Sequence, residues 1–168
     1  MPSAAERSRP FWAVLICTVV LDRATKVMAD RALPGRVVHV LGDAVQLRLV
    51  HNQGAAFGLE LGAWQRWIFL TIAIVAIGWL YTAARQASPL DTLRQYAVAF
   101  VAGGAAGNAI DRLLSARGVV DFIDVGAGAL RWPTFNVADI AVTCGAVALA
   151  ISLWREDARR APASVSSV

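Results

Sequence analysis

The chain has 168 residues, a length typical of one domain. Hydrophobic residues make up 57% of it and charged residues 17%, where soluble proteins average roughly 25% charged, so most of the chain is predicted to lie in lipid. This composition excludes disordered proteins and disulfide-stapled secreted modules. The net charge of +4 does not indicate nucleic-acid binding, because the basic residues are spread along the chain without interleaved aromatic residues.

Four apolar segments are long enough to cross a bilayer, which takes about 20 largely apolar residues. They cover residues 11–29, 65–84, 93–113 and 136–155. The first resembles a cleaved signal peptide in having arginines before it, but charged residues follow it where a small-residue cleavage site would lie. A retained helix is therefore favoured. The prediction is one integral membrane domain over residues 1–168, all-α, with four transmembrane helices.

Arginine and lysine placement predicts the orientation, because these residues are enriched in cytoplasmic loops. The bias over the whole chain is slight. Arg155, Arg159 and Arg160, however, directly follow the fourth span. Both termini are therefore predicted to be cytoplasmic, with the segments after the first and third spans on the outer side.

The outer segment at about 36–61 has the pattern of a small β-sheet. Apolar and polar residues alternate from 45 to 49, which is typical of a half-buried strand. Val37–Leu41 is the predicted hairpin partner, across the turn formed by Gly42 and Asp43. This sheet is predicted to rest on the outer face of the membrane, between the first and second helices.

Ionisable residues inside the predicted spans are the first sign of function, because such groups are costly in lipid and usually face a partner or a cavity. Asp22 and Lys26 lie four residues apart on one helical face. They can form an ion pair that neutralises itself, or they can belong directly to a functional site. The sequence leaves both interpretations open.

The third span combines small residues with a polar stripe. Gly103 and Gly107 allow a neighbouring helix to approach closely. Asn108, Asp111 and Arg112 follow at i, i+3 and i+4, at the outer end of the helix. A buried hydrogen-bonded network that includes an arginine partner would account for Asp111. Asn108 and Arg112 are predicted to do more than hold helices together.

Two further acids, Asp121 and Asp139, are the most informative. Asp121 lies in an apolar stretch just after the third span, and Asp139 lies one turn into the fourth, with no basic residue within a turn. Two carboxylates in a low-dielectric site cannot both ionise easily, so one retains a proton. Such a pair can activate water and protonate a peptide carbonyl, as in aspartic proteases. The alternative is that each acid only caps a helix or forms an ion pair.

Other hydrolytic centres do not fit this sequence. It contains neither His-Glu-x-x-His nor Gly-x-Ser-x-Gly, and its two histidines supply too few ligands for zinc. Cys17 and Cys144 each lie in an apolar run and are predicted to be small buried hydrophobic side chains. No metal or organic cofactor is predicted.

Five short motifs occur in order along the chain. They are Leu-Asp-Arg-Ala-Thr-Lys at 21–26, Asn-Gln-Gly-Ala-Ala-Phe-Gly at 52–58, the segment 104–112, Val-Val-Asp-Phe at 119–122 and Phe-Asn-Val-Ala-Asp at 135–139. With four spans in register, this pattern resembles lipoprotein signal peptidase, or signal peptidase II, of the bacterial inner membrane. The one departure is Arg23, where family members often have an uncharged residue.

The resemblance implies an aspartic endopeptidase that cleaves diacylglyceryl-modified prolipoproteins just before the lipidated cysteine of the lipobox. It implies a multi-pass protein of the inner membrane whose active site faces the periplasm. Its partners would be these lipidated substrates and membrane lipid, with no nucleic acid, and globomycin-type inhibitors would bind. No metal or cofactor is implied.

The same resemblance assigns roles to individual residues. Asp121 and Asp139 would form the catalytic pair. The residues that would orient the substrate or the pair are Asn52, Gly54, Asn108, Arg112 and Asn136. The residues that would support the structure are Asp22, Lys26, Gly104, Asp111 and Ala138.

A non-enzymatic membrane protein is the competing interpretation. A small ion-coupled transporter would use Asp22, Asp111 and Asp139 as a proton relay. Four helices are few for a transporter, and these acids cluster near one face of the membrane. The sequence therefore favours the peptidase.

Overall fold

The computed structural model describes residues 4–54, 64–86 and 91–160. The described residues form four helices and four strands. In order they are α1 (Ala4–Ala32), β1 (Val37–Leu41), β2 (Val45–Asn52), α2 (Gln65–Gln86), α3 (Thr92–Leu114), β3 (Val119–Ala127), β4 (Leu130–Arg131) and α4 (Val137–Arg160). A helix thus covers each of the four predicted apolar segments. Residues 55–61 of the predicted β region, with most of the motif at 52–58, lie outside the described residues.

The helices expose large apolar side chains on their outer faces. Among the described residues, Gln65–Thr82 and Val137–Arg159 are long and apolar enough to cross a membrane. Val20 on α1, Val75 on α2 and Val147 on α4 are all exposed by more than half. An apolar surface of this extent indicates a membrane or protein environment. A crossing by all four helices stays a prediction.

Cys17 and Cys144 also lie on the exposed surface of the helices. The prediction that both are buried was therefore wrong. An apolar run is equally compatible with a position facing lipid, because lipid tails are as apolar as a protein core.

Helix α3 lies at the centre of the bundle and contacts each of the other three helices. Small residues make these contacts close. A β-carbon on Gly104 would overlap the carbonyl oxygen of Ala138 on α4, and one on Gly103 would lie 2.9 Å from Cβ of Thr18 on α1. The predicted close approach at small residues is therefore present, and it places Ala138 directly against α3.

The strands form one antiparallel sheet in the order β1-β2-β3-β4. The predicted hairpin of β1 and β2 is present, and Gly42 in its turn has the positive φ of 50° that glycine adopts readily. The sheet is larger than predicted, because β3 and β4 come from the segment after α3. Asp121 on β3 pairs with Val50 on β2.

An apolar cluster joins this sheet to the helices. Ala29 and Leu33 at the end of α1 pack with Phe122 on β3, and Leu47, Leu49, Ile123 and Val137 surround them. Because Phe122 follows Asp121 directly, this packing holds β3 beside the start of α4. The sheet thereby positions one acid next to the helix that carries the other.

Candidate active site

Asp121 lies in the middle of the site on β3 and is 2% exposed. Its two carboxylate oxygens each accept a hydrogen bond from a side-chain amide. Asn136 Nδ2 donates to Oδ1 at 2.6 Å, and Asn52 Nδ2 donates to Oδ2 at 3.0 Å. The end of β2 and the residue before α4 therefore fix the carboxyl group from both sides.

Asp139 occupies the first turn of α4. Its Oδ2 accepts from the backbone N–H of Asn136 at 3.1 Å, while Asn136 Oδ1 accepts from the backbone N–H of Asp139 at 3.0 Å. This reciprocal pair is a capping box, with Asn136 as the N-cap. Asp139 therefore contributes to the cap of its helix, as one interpretation of the sequence allowed. Its Oδ1 has a different partner, Asn108 Nδ2 on α3 at 2.8 Å.

The two acids belong to one hydrogen-bonded chain of amides. Asn136 Nδ2 donates to Oδ1 of Asn108 at 3.2 Å as well as to Asp121. This series of side-chain hydrogen bonds leads from Asp139 through Asn108 and Asn136 to Asp121. The structure thus brings together four residues that the sequence predicted for the site, although they come from α3, β3 and the start of α4.

The pKa of Asp121 is raised from 3.8 to about 6, mainly by burial, and the nearby charge of Asp139 acts in the same direction. The hydrogen bonds from Asn52 and Asn136 act in the opposite direction, because they stabilise the ionised form. A carboxyl group with a pKa near 6 can take up and release a proton close to neutral pH, as a general acid or base must.

This pKa predicts how stability depends on pH. The folded protein binds the Asp121 proton more tightly than the unfolded chain does, so the contribution of this residue is fully present below pH 3.8 and is lost as the pH rises through about 6. The unfolding free energy of the wild type minus that of Asp121→Asn should fall by on the order of 1–3 kcal/mol across this window. Denaturation in detergent from pH 4 to 7 measures it. A difference that stays constant or increases contradicts the prediction.

A buried cluster of charges around Lys26 supports the site. Lys26 Nζ contacts Asp22 Oδ2 at 2.8 Å, Asp111 Oδ2 at 2.9 Å and Asn108 Oδ1 at 2.8 Å. The predicted ion pair of Asp22 and Lys26 is therefore present. It also reaches the site, because Asn108 is the residue that donates to Asp139.

The acids of this cluster bind backbone groups next to the catalytic candidates. Asp22 Oδ1 accepts from the N–H of Ala138 at 2.9 Å, and Asp111 Oδ2 accepts from the N–H of Val120 at 3.2 Å. Both acids thus position the chain beside Asp139 and Asp121. Because they share the ammonium group of Lys26, a proton relay through them is not favoured.

Arg112 and Gly54 lie at the edge of the site, close to α2. The guanidinium of Arg112 stacks 5.2 Å from the ring centroid of Phe69, and its Nη1 donates to the carbonyl oxygen of Asn108. Gly54 has a φ of 101°, and a β-carbon there would lie 2.6 Å from the Phe69 ring. Its N–H donates to Oδ1 of Asn52 at 2.8 Å, which orients the amide that holds Asp121.

Asp124 is a buried acid that the sequence analysis missed. It is 1% exposed, and its carboxylate lies 2.7 Å from Arg131 Nε and 2.9 Å from Arg48 Nε. Asp124 is three residues from Asp121 on the same strand, so the two side chains point to opposite faces. Its apolar neighbours Ile123 and Val125 were a signal like the one at Asp121, and Arg131 is only seven residues away. Only the partner Arg48 is distant in the sequence. Within the described ranges, no group of three or more His, Cys, Asp or Glu residues is arranged to hold a metal.

Several known proteins are similar to this chain in sequence. A family model described as signal peptidase (SPase) II matches residues 14–155. The lipoprotein signal peptidase of Burkholderia mallei is 37% identical over 143 residues, covering 83% of this chain and 84% of the relative. That of Hydrogenovibrio crunogenus is 42% identical over 144 residues, covering 84% and 82%.

Two solved structures have the same fold. A bacterial membrane enzyme determined by the in meso method superposes with a TM-score of 0.80 at 26% identity, covering 94% of both chains. A second structure with the same description has a TM-score of 0.77 at 28% identity, covering 86% of this chain and 92% of the other. The similarity therefore extends over the helices and the sheet together.

Proposed function

Because this chain belongs to the signal peptidase II family, we propose that it is a membrane aspartic endopeptidase. It removes the signal peptide from diacylglyceryl-modified prolipoproteins by cleaving on the N-terminal side of the lipidated cysteine. The main support is the series of hydrogen bonds through the side-chain amides of Asn108 and Asn136 that links Asp121 and Asp139. The two acids are also near enough for the charge of Asp139 to raise the pKa of Asp121, which supports a pair that shares one proton.

The surroundings of the two acids suit them to different roles, one as the proton donor and the other as the proton acceptor. Asp121 is fully buried and its pKa is raised to about 6, so we assign to it the proton that is donated to the scissile carbonyl oxygen. Asp139 is partly exposed and takes a proton from the attacking water. The water oxygen bonds to the carbonyl carbon to form a tetrahedral diol. As the C–N bond then breaks, Asp139 passes its gained proton to the leaving amine, and a hydroxyl group of the intermediate returns a proton to Asp121.

The neighbouring polar residues orient the pair and the substrate. In the free enzyme, three side-chain amides donate hydrogen bonds to the two carboxylates and so hold the pair in place. They belong to Asn52, Asn108 and Asn136. Arg112 and Gly54 lie beside them and are proposed to contact the substrate backbone. The chemistry uses no metal or organic cofactor.

The position of the pair fits a substrate anchored in the outer leaflet. Asp121 and Asp139 lie where the last turn of α3 and the first turn of α4 meet the sheet. In the proposed topology this level is the periplasmic surface of the inner membrane. Two acyl chains in the outer leaflet would hold the scissile bond at that depth, while the apolar helix faces accept the lipid and the signal helix.

Lipidation is therefore expected to be required for efficient cleavage. A precursor without the diacylglyceryl group should lose about tenfold or more in kcat/KM, because binding energy from the acyl chains positions the scissile bond. The measurement compares two precursors that differ only in this group, with purified protein in detergent micelles. Globomycin should block the lipidated reaction. Equal rates for both precursors would refute the role of the lipid.

The topology has its own test. All four helices are proposed to cross the inner membrane, with both termini in the cytoplasm. A reporter fused after Val168 that is active only in the cytoplasm should be active, and one that requires the periplasm should be silent. The reverse result would place the acids on the cytoplasmic face and contradict the proposed site of cleavage.

A further inference from the structure

A cavity of about 360 Å³ lies outside the candidate active site, between the second half of α1, the end of α3 and the segment that leads into β3. Its volume is in the roughly 300–1,000 Å³ range of ligand sites. Charged residues and one histidine supply most of its polar lining. They are Arg23, Lys26, Asp30, Arg31, His51, Asp111 and Arg117.

The charges around the cavity do not cancel. Lys26 and Arg23 are balanced by Asp22 and Asp111 in the buried cluster. Asp30 lies 3.7 Å from Arg117 Nη2 and 3.2 Å from His51 Nε2. Arg31 forms no ion pair within the part of the chain that the structure describes. One uncompensated positive charge therefore remains.

Arg23 connects this cavity to the lipid-facing surface. Its side chain is 46% exposed while Nη1 contacts Asp111 Oδ1 at 3.1 Å. Ile16 and Val20 lie seven and three residues before it, on the same face of α1, and are 54% and 60% exposed. A cationic cavity thus lies directly above an apolar stripe on the same helix.

We propose that this cavity binds the phosphate group of an anionic phospholipid, with an acyl chain along Ile16 and Val20. Guanidinium groups suit a phosphate because they offer several N–H donors in a planar fork. One negative charge would balance the excess positive charge of the lining. The apolar stripe favours a lipid over a free phosphate ion, because only a lipid covers both surfaces.

The lipid site requires that the protein lies in a membrane, but it does not require catalysis by Asp121 and Asp139. A failed cleavage test would therefore not contradict it. The full chain in dodecyl maltoside is titrated with dioleoylphosphatidylglycerol, dioleoylphosphatidylcholine or sodium phosphate, and the Tm is followed. We expect the phosphatidylglycerol alone to raise the Tm at low concentration. Arg31→Gln should weaken this lipid's apparent affinity about fivefold, the effect of one arginine near a membrane surface.

Arg36→Gln is the matched control, because Arg36 is exposed just after α1 and does not line the cavity. It should bind the lipid like the wild type. Arg117→Gln tests the cavity from the α3 side and should weaken binding as Arg31→Gln does. Cleavage in detergent without added phospholipid should be unchanged in both cavity variants.

Each contrary result has a defined meaning. Equal affinities for Arg31→Gln, Arg117→Gln and Arg36→Gln would overturn the site. Stabilisation by sodium phosphate as strong as by the lipid would overturn the lipid and leave only an anion site. Equal stabilisation by phosphatidylcholine, whose choline group cancels the phosphate charge, would overturn the anionic lipid as the ligand.

Discussion

Replacing either Asp121 or Asp139 by asparagine is expected to lower kcat by about 10²–10⁴-fold, the usual contribution of a general acid or base. Asparagine keeps the size of the side chain but cannot exchange a proton. Because the two acids are proposed to act as one unit, the double variant should be little slower than either single variant. The measurement is cleavage of a lipidated precursor by purified protein in detergent.

Asp124→Asn is the matched control for this experiment. Asp124 is a buried acid on the same strand, but its carboxylate is held by Arg48 and Arg131 on the other face of the sheet. Its replacement should lower the Tm while leaving the activity per folded molecule close to that of the wild type. Substantial activity in Asp121→Asn or Asp139→Asn would exclude the aspartic mechanism. A loss as large in Asp124→Asn would show that the assay reports folding alone.

Replacing Lys26 by methionine is expected to produce the largest loss of stability, on the order of 3–5 kcal/mol in the free energy of unfolding. The lysine side chain is fully buried and its Nζ contacts the carboxylates of Asp22 and Asp111. Without the ammonium group, two acids remain buried at 1% and 2% exposure with no cation between them. The measurement is denaturant or thermal unfolding of the purified variant in detergent.

Arg94→Met provides the comparison with a more exposed ion pair. Arg94 contacts Glu156 at 3.0 Å, and the two side chains are 24% and 33% exposed. Because solvent screens such a pair, its loss should cost about 1 kcal/mol or less. Adding Asp22→Asn to Lys26→Met should restore part of the stability, since it removes one uncompensated charge. Equal costs for Lys26→Met and Arg94→Met would show that the buried cluster contributes little.

Local patterns in the sequence were sufficient to predict several features. Long uncharged runs predicted the positions of all four helices, and alternation with a glycine turn predicted the hairpin of β1 and β2. Asp121 and Asp139 stood out because carboxylates in apolar surroundings are costly. These signals all arise from residues within a few positions of one another.

Only the tertiary structure decided which residues meet. The pairing of β3 with β2 brings Asn52 to Asp121 across 69 positions, and Lys26 reaches Asn108 across 82. The pairing of Asp124 with the distant Arg48 escaped notice for the same reason. Hydropathy also failed to separate buried from exposed positions at Cys17 and Cys144, because a surface that faces lipid would be as apolar as a protein core. The sequence by itself determined where the helices and the costly charges lie, whereas long-range hydrogen bonds and packing determined how those charges are paired.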